Sequence, residues 1–68
     1  MSDTPTLLRL PQVLLATGLN RTKLYALQRA GHFPLAVKIG ERAVAWPAAE
    51  VQQWIASRIA ERDAKAAA

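Results

Sequence analysis

No cysteine occurs among the 68 residues, so neither a disulfide framework nor a thiolate metal site is open to this chain. A single histidine rules out a His-rich metal site as well. Three glycines are too few for a phosphate-cradling loop, and no segment is long enough for the βαβ unit of the usual nucleotide-binding layouts. Acidic side chains are scarce: Asp3, Glu41, Glu50, Glu61 and Asp63 are scattered and match no metal-ligand spacing. No apolar run approaches the roughly 18 residues that span a bilayer. The first residues, "MSDTPTLLRLP", lack the basic region, apolar core and cleavage site of a signal peptide, so the expected location is cytoplasmic. Ser2 and Ser57 have no evident activating partner. His32, in "GHFP" just past a helix stop, reads as a loop or C-cap residue rather than a base. No enzymatic activity, cofactor, metal or small-molecule ligand is expected.

Positive charge is what the chain has in excess. Nine Lys and Arg give a net charge of +4 and a pI near 10.4. Basic domains gather anionic partners around them, with nucleic acid ahead of an anionic membrane. Soluble surfaces of no special function carry similar charge, so what matters is whether the cations cluster on one face. The length allows one small domain, which buries only about 60% of the surface of its unfolded chain. Its core must therefore be thin.

The chain divides into an N-terminal arm over residues 1–6, an ordered domain over 7–62 and an Ala-rich tail over 63–68, expected to fray. Leu7, Leu8 and Leu10 begin the ordered part, in a short extended segment. Pro11 suits the first position of a helix, where its missing N–H costs nothing. Val13, Leu14 and Leu15 fall in that helix, and Gly18 can close it in a left-handed conformation. A second helix follows at once. Asn20 is a good N-cap, and "RTKLYALQRA" runs about three turns before Gly31 and Pro34 stop it. Leu24 and Leu27 share its core face. At 100° per residue, Arg21, Thr22, Tyr25, Ala26 and Arg29 fall opposite, with Lys23 on one flank and Gln28 on the other.

Between Pro34 and Trp46 the period changes. Val37 and Ile39 alternate with Lys38, and Val44 and Trp46 alternate with Ala43 and Ala45, the two runs parted by Gly40-Glu41. That pattern reads as a β-hairpin, with Lys38 near the end of one strand and Arg42 beginning the next. From Pro47 onward, Val51, Trp54, Ile55 and Ile59 trace the stripe of an amphipathic helix. Trp46 and Trp54 are expected in the core. The fold class is therefore mainly α with a small β-hairpin. Its order is helix-turn-helix-hairpin-helix, a winged helix-turn-helix.

The second helix is the candidate binding surface. A DNA-reading helix inserts its N-terminal residues into the major groove while the first helix crosses the backbone. Arg21 can fork onto guanine O6 and N7. Thr22 can donate to a phosphate or touch a thymine methyl. Tyr25 offers a ring and a hydroxyl suited to a phosphate, or else lies over the core's edge. Arg29, two turns beyond Arg21, suits the backbone. On the hairpin, Lys38 and Arg42 can reach phosphates, or Lys38 can simply protect an edge strand.

Residues 17–55, "TGLNRTKLYALQRAGHFPLAVKIGERAVAWPAAEVQQWI", resemble the AlpA family of phage-type regulators, small winged helix-turn-helix proteins related to the MerR DNA-binding domain and to excisionases. The resemblance rests on Thr17, Gly18, Leu19, Arg21, Leu24 and Tyr25, then Gly31, Phe33 and Pro34. It continues through Val37, Lys38, Ile39, Gly40, Arg42, Ala43, Val44 and Trp46, then Glu50, Val51, Trp54 and Ile55. Asn20 replaces the usual Ser, which preserves capping. Ala26 stands where the family often has Arg or another polar residue, and Pro47 replaces more typical residues after the Trp. The resemblance implies sequence-specific binding of double-stranded DNA by a transcriptional regulator of prophage or mobile-element genes, in a bacterial cytoplasm and on the nucleoid when bound. An excisionase-like factor that bends DNA, and a protein-interaction module of antitoxin or adaptor type, are the alternatives. Assembly as a homodimer or higher oligomer on DNA is left open.

Overall fold

Two left-handed glycines and one asparagine cut the first half of the chain into its helices. The computed structural model describes residues 6–67, so residues 1–5 of the expected arm, and Ala68, lie outside the described residues. Strand β1 (Leu7–Leu8) leads into helix α1 (Leu10–Thr17). Pro11 occupies the second helical position rather than the first, still within the turn whose N–H groups have no intrahelical partner. Gln12 Oε1 accepts the Arg9 N–H at 2.9 Å. Gly18, at φ 76°, ends α1 and donates its N–H to the Leu14 carbonyl, a conformation that favours glycine because it has no Cβ.

Helix α2 (Arg21–Arg29) starts at Asn20, whose Oδ1 accepts the Lys23 N–H at 2.8 Å. Its other end is a Schellman closure: Gly31, at φ 81°, donates to the Gln28 carbonyl and His32 donates to the Leu27 carbonyl. The three residues between α1 and α2 form a tight turn. Within it the Leu19 N–H meets the Thr17 hydroxyl, which in turn donates to the Val13 carbonyl.

Strands β2 (Val37–Lys38) and β3 (Val44–Pro47) pair antiparallel, Val37 opposite Ala45 and Lys38 opposite Val44. The Ile39 N–H to Ala43 carbonyl bond closes the hairpin. Arg42, expected at the start of the second strand, lies in the turn with Gly40 and Glu41. The hairpin is also not alone. β1 pairs on the other side of β3, Leu7 opposite Pro47 and Leu8 opposite Trp46, giving a three-stranded sheet in the order β1-β3-β2. The extended segment expected at Leu7 and Leu8 is this strand, but two residues are too short to show a period of two, so the sequence pattern does not reveal that it pairs with β3.

Helix α3 (Ala48–Ala67) begins directly after β3, its first N–H donated to the Thr6 carbonyl. It runs through Ala67 and so takes in residues 63–67 of the tail expected to fray. Ala and Lys after Asp63 are strong helix formers and nothing there breaks the helix. Val51 is buried and Trp54 and Ile55 pack on the core, whereas Ile59, read on the same stripe, is half-exposed and outside the core cluster.

The core gathers Val13 of α1, Leu24 of α2, Phe33 of the following loop, Trp46 of β3 and Val51 of α3. Trp46, Leu24, Val13 and Val51 have no exposed surface, and each aliphatic burial of this kind is worth roughly 1.5–3 kcal/mol. Phe33 meets the Trp54 ring edge-on, centroids 4.9 Å apart. β3 is the hub, touching β1, β2, α1 and α3. In outline the molecule is mainly helical with a small antiparallel sheet.

Candidate nucleic-acid interface

Helix α2 is held on its inner side and bare on its outer side. Leu24 is fully buried, Leu27 packs on the core, and Gln28 accepts a hydrogen bond from the Trp46 indole. Gln28 thus sits further toward the core than the flank on which the 100° step places it. The outer side presents Arg21, Thr22, Lys23, Ala26 and Arg29, all exposed. Tyr25 is different. It is half-buried, packed on the core cluster, its ring 6.4 Å from that of Trp46 and tilted by 54°. Of its two readings, the one at the core's edge describes the ring; only the margin of Tyr25 is available beside Arg21 and Arg29.

On the hairpin, Lys38 at the end of β2 and Arg42 in the turn are both exposed. Arg9, just before α1, is a further exposed cation that the sequence pattern did not single out. Its signal was its position: it opens the first of two helices joined by a tight turn, the helix that crosses the backbone when such a pair docks on DNA.

The electrostatics divide the molecule in two. From residue 6 to residue 47 the charges are Arg9, Arg21, Lys23, Arg29, Lys38 and Arg42 against the lone acid Glu41. On α3, Arg58, Arg62 and Lys65 balance Glu50, Glu61 and Asp63. Among the described residues, ion pairs fall only on α3: Arg58 with Glu61, Arg62 with Asp63 at 2.8 Å, and Lys65 with Glu61 at 3.9 Å. The excess positive charge therefore belongs to Arg9, α2 and the hairpin, where Glu41 is the one acid and no ion pair forms among the described residues.

Nothing in the described part gathers three or more His, Cys, Asp or Glu side chains into a metal-binding group. His32 serves through its backbone, its N–H closing α2 and its carbonyl accepting the Trp54 indole N–H at 2.7 Å. No helix among the described residues is long and apolar enough to cross a membrane.

This architecture, mainly helical with a small three-stranded antiparallel sheet, is compatible with a small DNA-binding domain. Residues 6–59 match the model of one family, the prophage CP4-57 regulatory protein (AlpA). The chain belongs to this AlpA family of prophage regulatory proteins. It is also 47% identical over 55 residues to "Uncharacterized protein ORF88" of Enterobacteria phage P4, a match that takes in 81% of this chain. It spans 62% of the length of that phage protein. No solved structure gives a significant match.

Proposed function

We propose that the chain is a sequence-specific, double-stranded-DNA-binding transcriptional regulator of prophage or mobile-element genes, acting as a winged helix-turn-helix over residues 7–62. In this reading α2 enters the major groove and the hairpin over residues 37–46 is the wing. The observation that carries it is the charge division: six cations, Arg9 and those of α2 and the hairpin, lack carboxylate partners among the described residues, whereas those on α3 are paired. A merely soluble surface has no need of that segregation. The family's regulatory character supports the same reading.

The roles follow from position. Arg21, in the first turn of α2, forks onto guanine O6 and N7. Thr22 touches a phosphate or a thymine methyl. Arg29 meets the backbone two turns on, and Tyr25 offers its hydroxyl to a phosphate from the margin of the face. Ala26 keeps the centre of the face slim enough for close approach. Lys38 and Arg42 contact phosphates beside the groove. One module of this kind buries only about 600–1,000 Å² on DNA, so tight recognition calls for two or more copies on paired or repeated half-sites.

Selection of bound sequences from a random duplex pool tests the whole reading. An enriched motif, repeated at a fixed spacing, is the expected result. Absence of enrichment, together with no binding at low salt, would leave a protein-interaction module as the better account. A sharp bend in circular-permutation gel shifts on the selected site would move the role to an architectural, excisionase-like factor.

A further inference from the structure

The Trp46 indole lies where the chain's separate parts meet. Its ring is fully buried in β3, which pairs with β1 through Trp46 itself and with β2 through the two residues before it. Its single N–H is shared between two acceptors, Gln28 Oε1 at 3.2 Å and the Pro34 carbonyl at 3.1 Å. Gln28 is in the last part of α2, and Pro34 is in the loop that leads from α2 to the hairpin. Among the described residues, the Gln28–Trp46 bond is the one side-chain hydrogen bond joining α2 to the sheet. The other ties between them, Leu24, Leu27 and Tyr25 against the core, are apolar or aromatic contacts. Apolar contacts resist separation but are not directional, so they leave rotation and sliding of a short helix weakly specified. A hydrogen bond to a fixed indole specifies both.

We infer that Gln28 is a positioning residue for DNA recognition, fixing the rotation of α2 relative to the hairpin so that helix and wing address one duplex together. The inference rests on the proposed DNA-binding function. The shared donor also separates this role from stability. When Gln28 loses its acceptor, the Trp46 N–H keeps the Pro34 carbonyl, so no buried donor is stranded and the large penalty of an unsatisfied group is not incurred. Charge is untouched, so the sequence-independent attraction to phosphates is untouched as well. What changes is the aim of the helix.

The test compares Gln28→Met, which keeps the length and loses the amide, with Gln28→Glu, which keeps an oxygen acceptor. Affinity is measured for the selected duplex and for a scrambled duplex of the same length. For Gln28→Met the expected result is a loss of about three- to tenfold on the selected duplex, no change on the scrambled one, and a melting temperature within a few degrees of the parent. Relaxation-dispersion NMR without DNA should show new microsecond-to-millisecond exchange in the α2 amides of Gln28→Met. Those of Gln28→Glu should stay quiet, although its added charge weakens binding to both duplexes. Equal losses on both duplexes with a lowered melting temperature would make Gln28 a stability residue and overturn the inference. Parent-like affinity and quiet α2 amides in Gln28→Met would also overturn it. A parent chain with no preference between duplexes removes the sequence-specific function itself, and the positioning role for recognition falls with it. The relaxation data would still report whether Gln28 holds the helix.

Discussion

Removing one charge from the hairpin turn should change how binding responds to salt more clearly than it changes binding itself. Each phosphate neutralised on duplex DNA contributes about 0.9 to the slope of log affinity against log salt. The six cations without carboxylate partners among the described residues, Arg9, Arg21, Lys23, Arg29, Lys38 and Arg42, set a ceiling on that slope of roughly −5 for one copy. At that ceiling, affinity falls about 10³-fold between 50 and 200 mM salt. Arg42→Ala should flatten the slope by about 0.9, so that over the same interval the variant loses three- to fourfold less than the parent. Arg62→Ala is the control. It removes the same side chain from α3, where Asp63 holds it at 2.8 Å and it is 74% exposed, and the slope should not move. Fluorescence anisotropy of a labelled duplex at four or five salt concentrations gives both slopes. Equal flattening by the two variants, or none from Arg42→Ala, would refute the assignment of phosphate contact to the cations of α2, the hairpin and Arg9.

Other substitutions probe separate links. Arg21→Ala should relax preference at one base pair of the selected site and cost about 1–3 kcal/mol there, read from affinities for single-position variants of that site; unchanged preference would remove its base-reading role. Leu24→Ala should destabilise the domain by about 2–5 kcal/mol in chemical denaturation, since Leu24 has no exposed surface and anchors the inner side of α2. Asn20→Ala should cost about 1 kcal/mol through the lost cap on the Lys23 N–H, whereas Asn20→Ser should be close to neutral by thermal melting.

The parts of this fold that are legible in the sequence are those written in residues of special chemistry. Gly18, Asn20 and Gly31 mark where α1 stops and where α2 starts and stops, because left-handed backbone and side-chain capping select few residue types. The stripe of Val51, Trp54 and Ile55 marks α3 because its period is sustained. The pairing of β1 is hidden for the opposite reason: two leucines read as extended but carry no period, and their partners lie some forty residues downstream. The place of Arg42 in the turn was equally unreadable, since a short hairpin shifts by one residue without altering its composition. Gln28 is the instructive case. Four residues past Leu24, it is only about 40° round the helix from that buried side chain, yet its polarity suggests solvent. The partner that draws it inward, the Trp46 N–H, is visible only once β3 is in place. At the site, Tyr25 carried two readings that periodicity alone does not separate, and its ring is held at the core by contact with Trp46.

The split of α2 into an anchored inner side and a bare outer side bears on how such a domain changes over generations. Leu24, Leu27 and Gln28 keep the helix in place, while Arg21, Thr22, Ala26 and Arg29 make no contact that the core depends on. Exposed positions of this kind tolerate exchange at little cost to stability. The helix can therefore be rewritten on one side while the other stays constant, and, under the proposed function, a lineage can drift from one operator to another without passing through an unfolded intermediate. Ala26, slim and central on that outer side, is where a single nucleotide change has the most room to add a new contact.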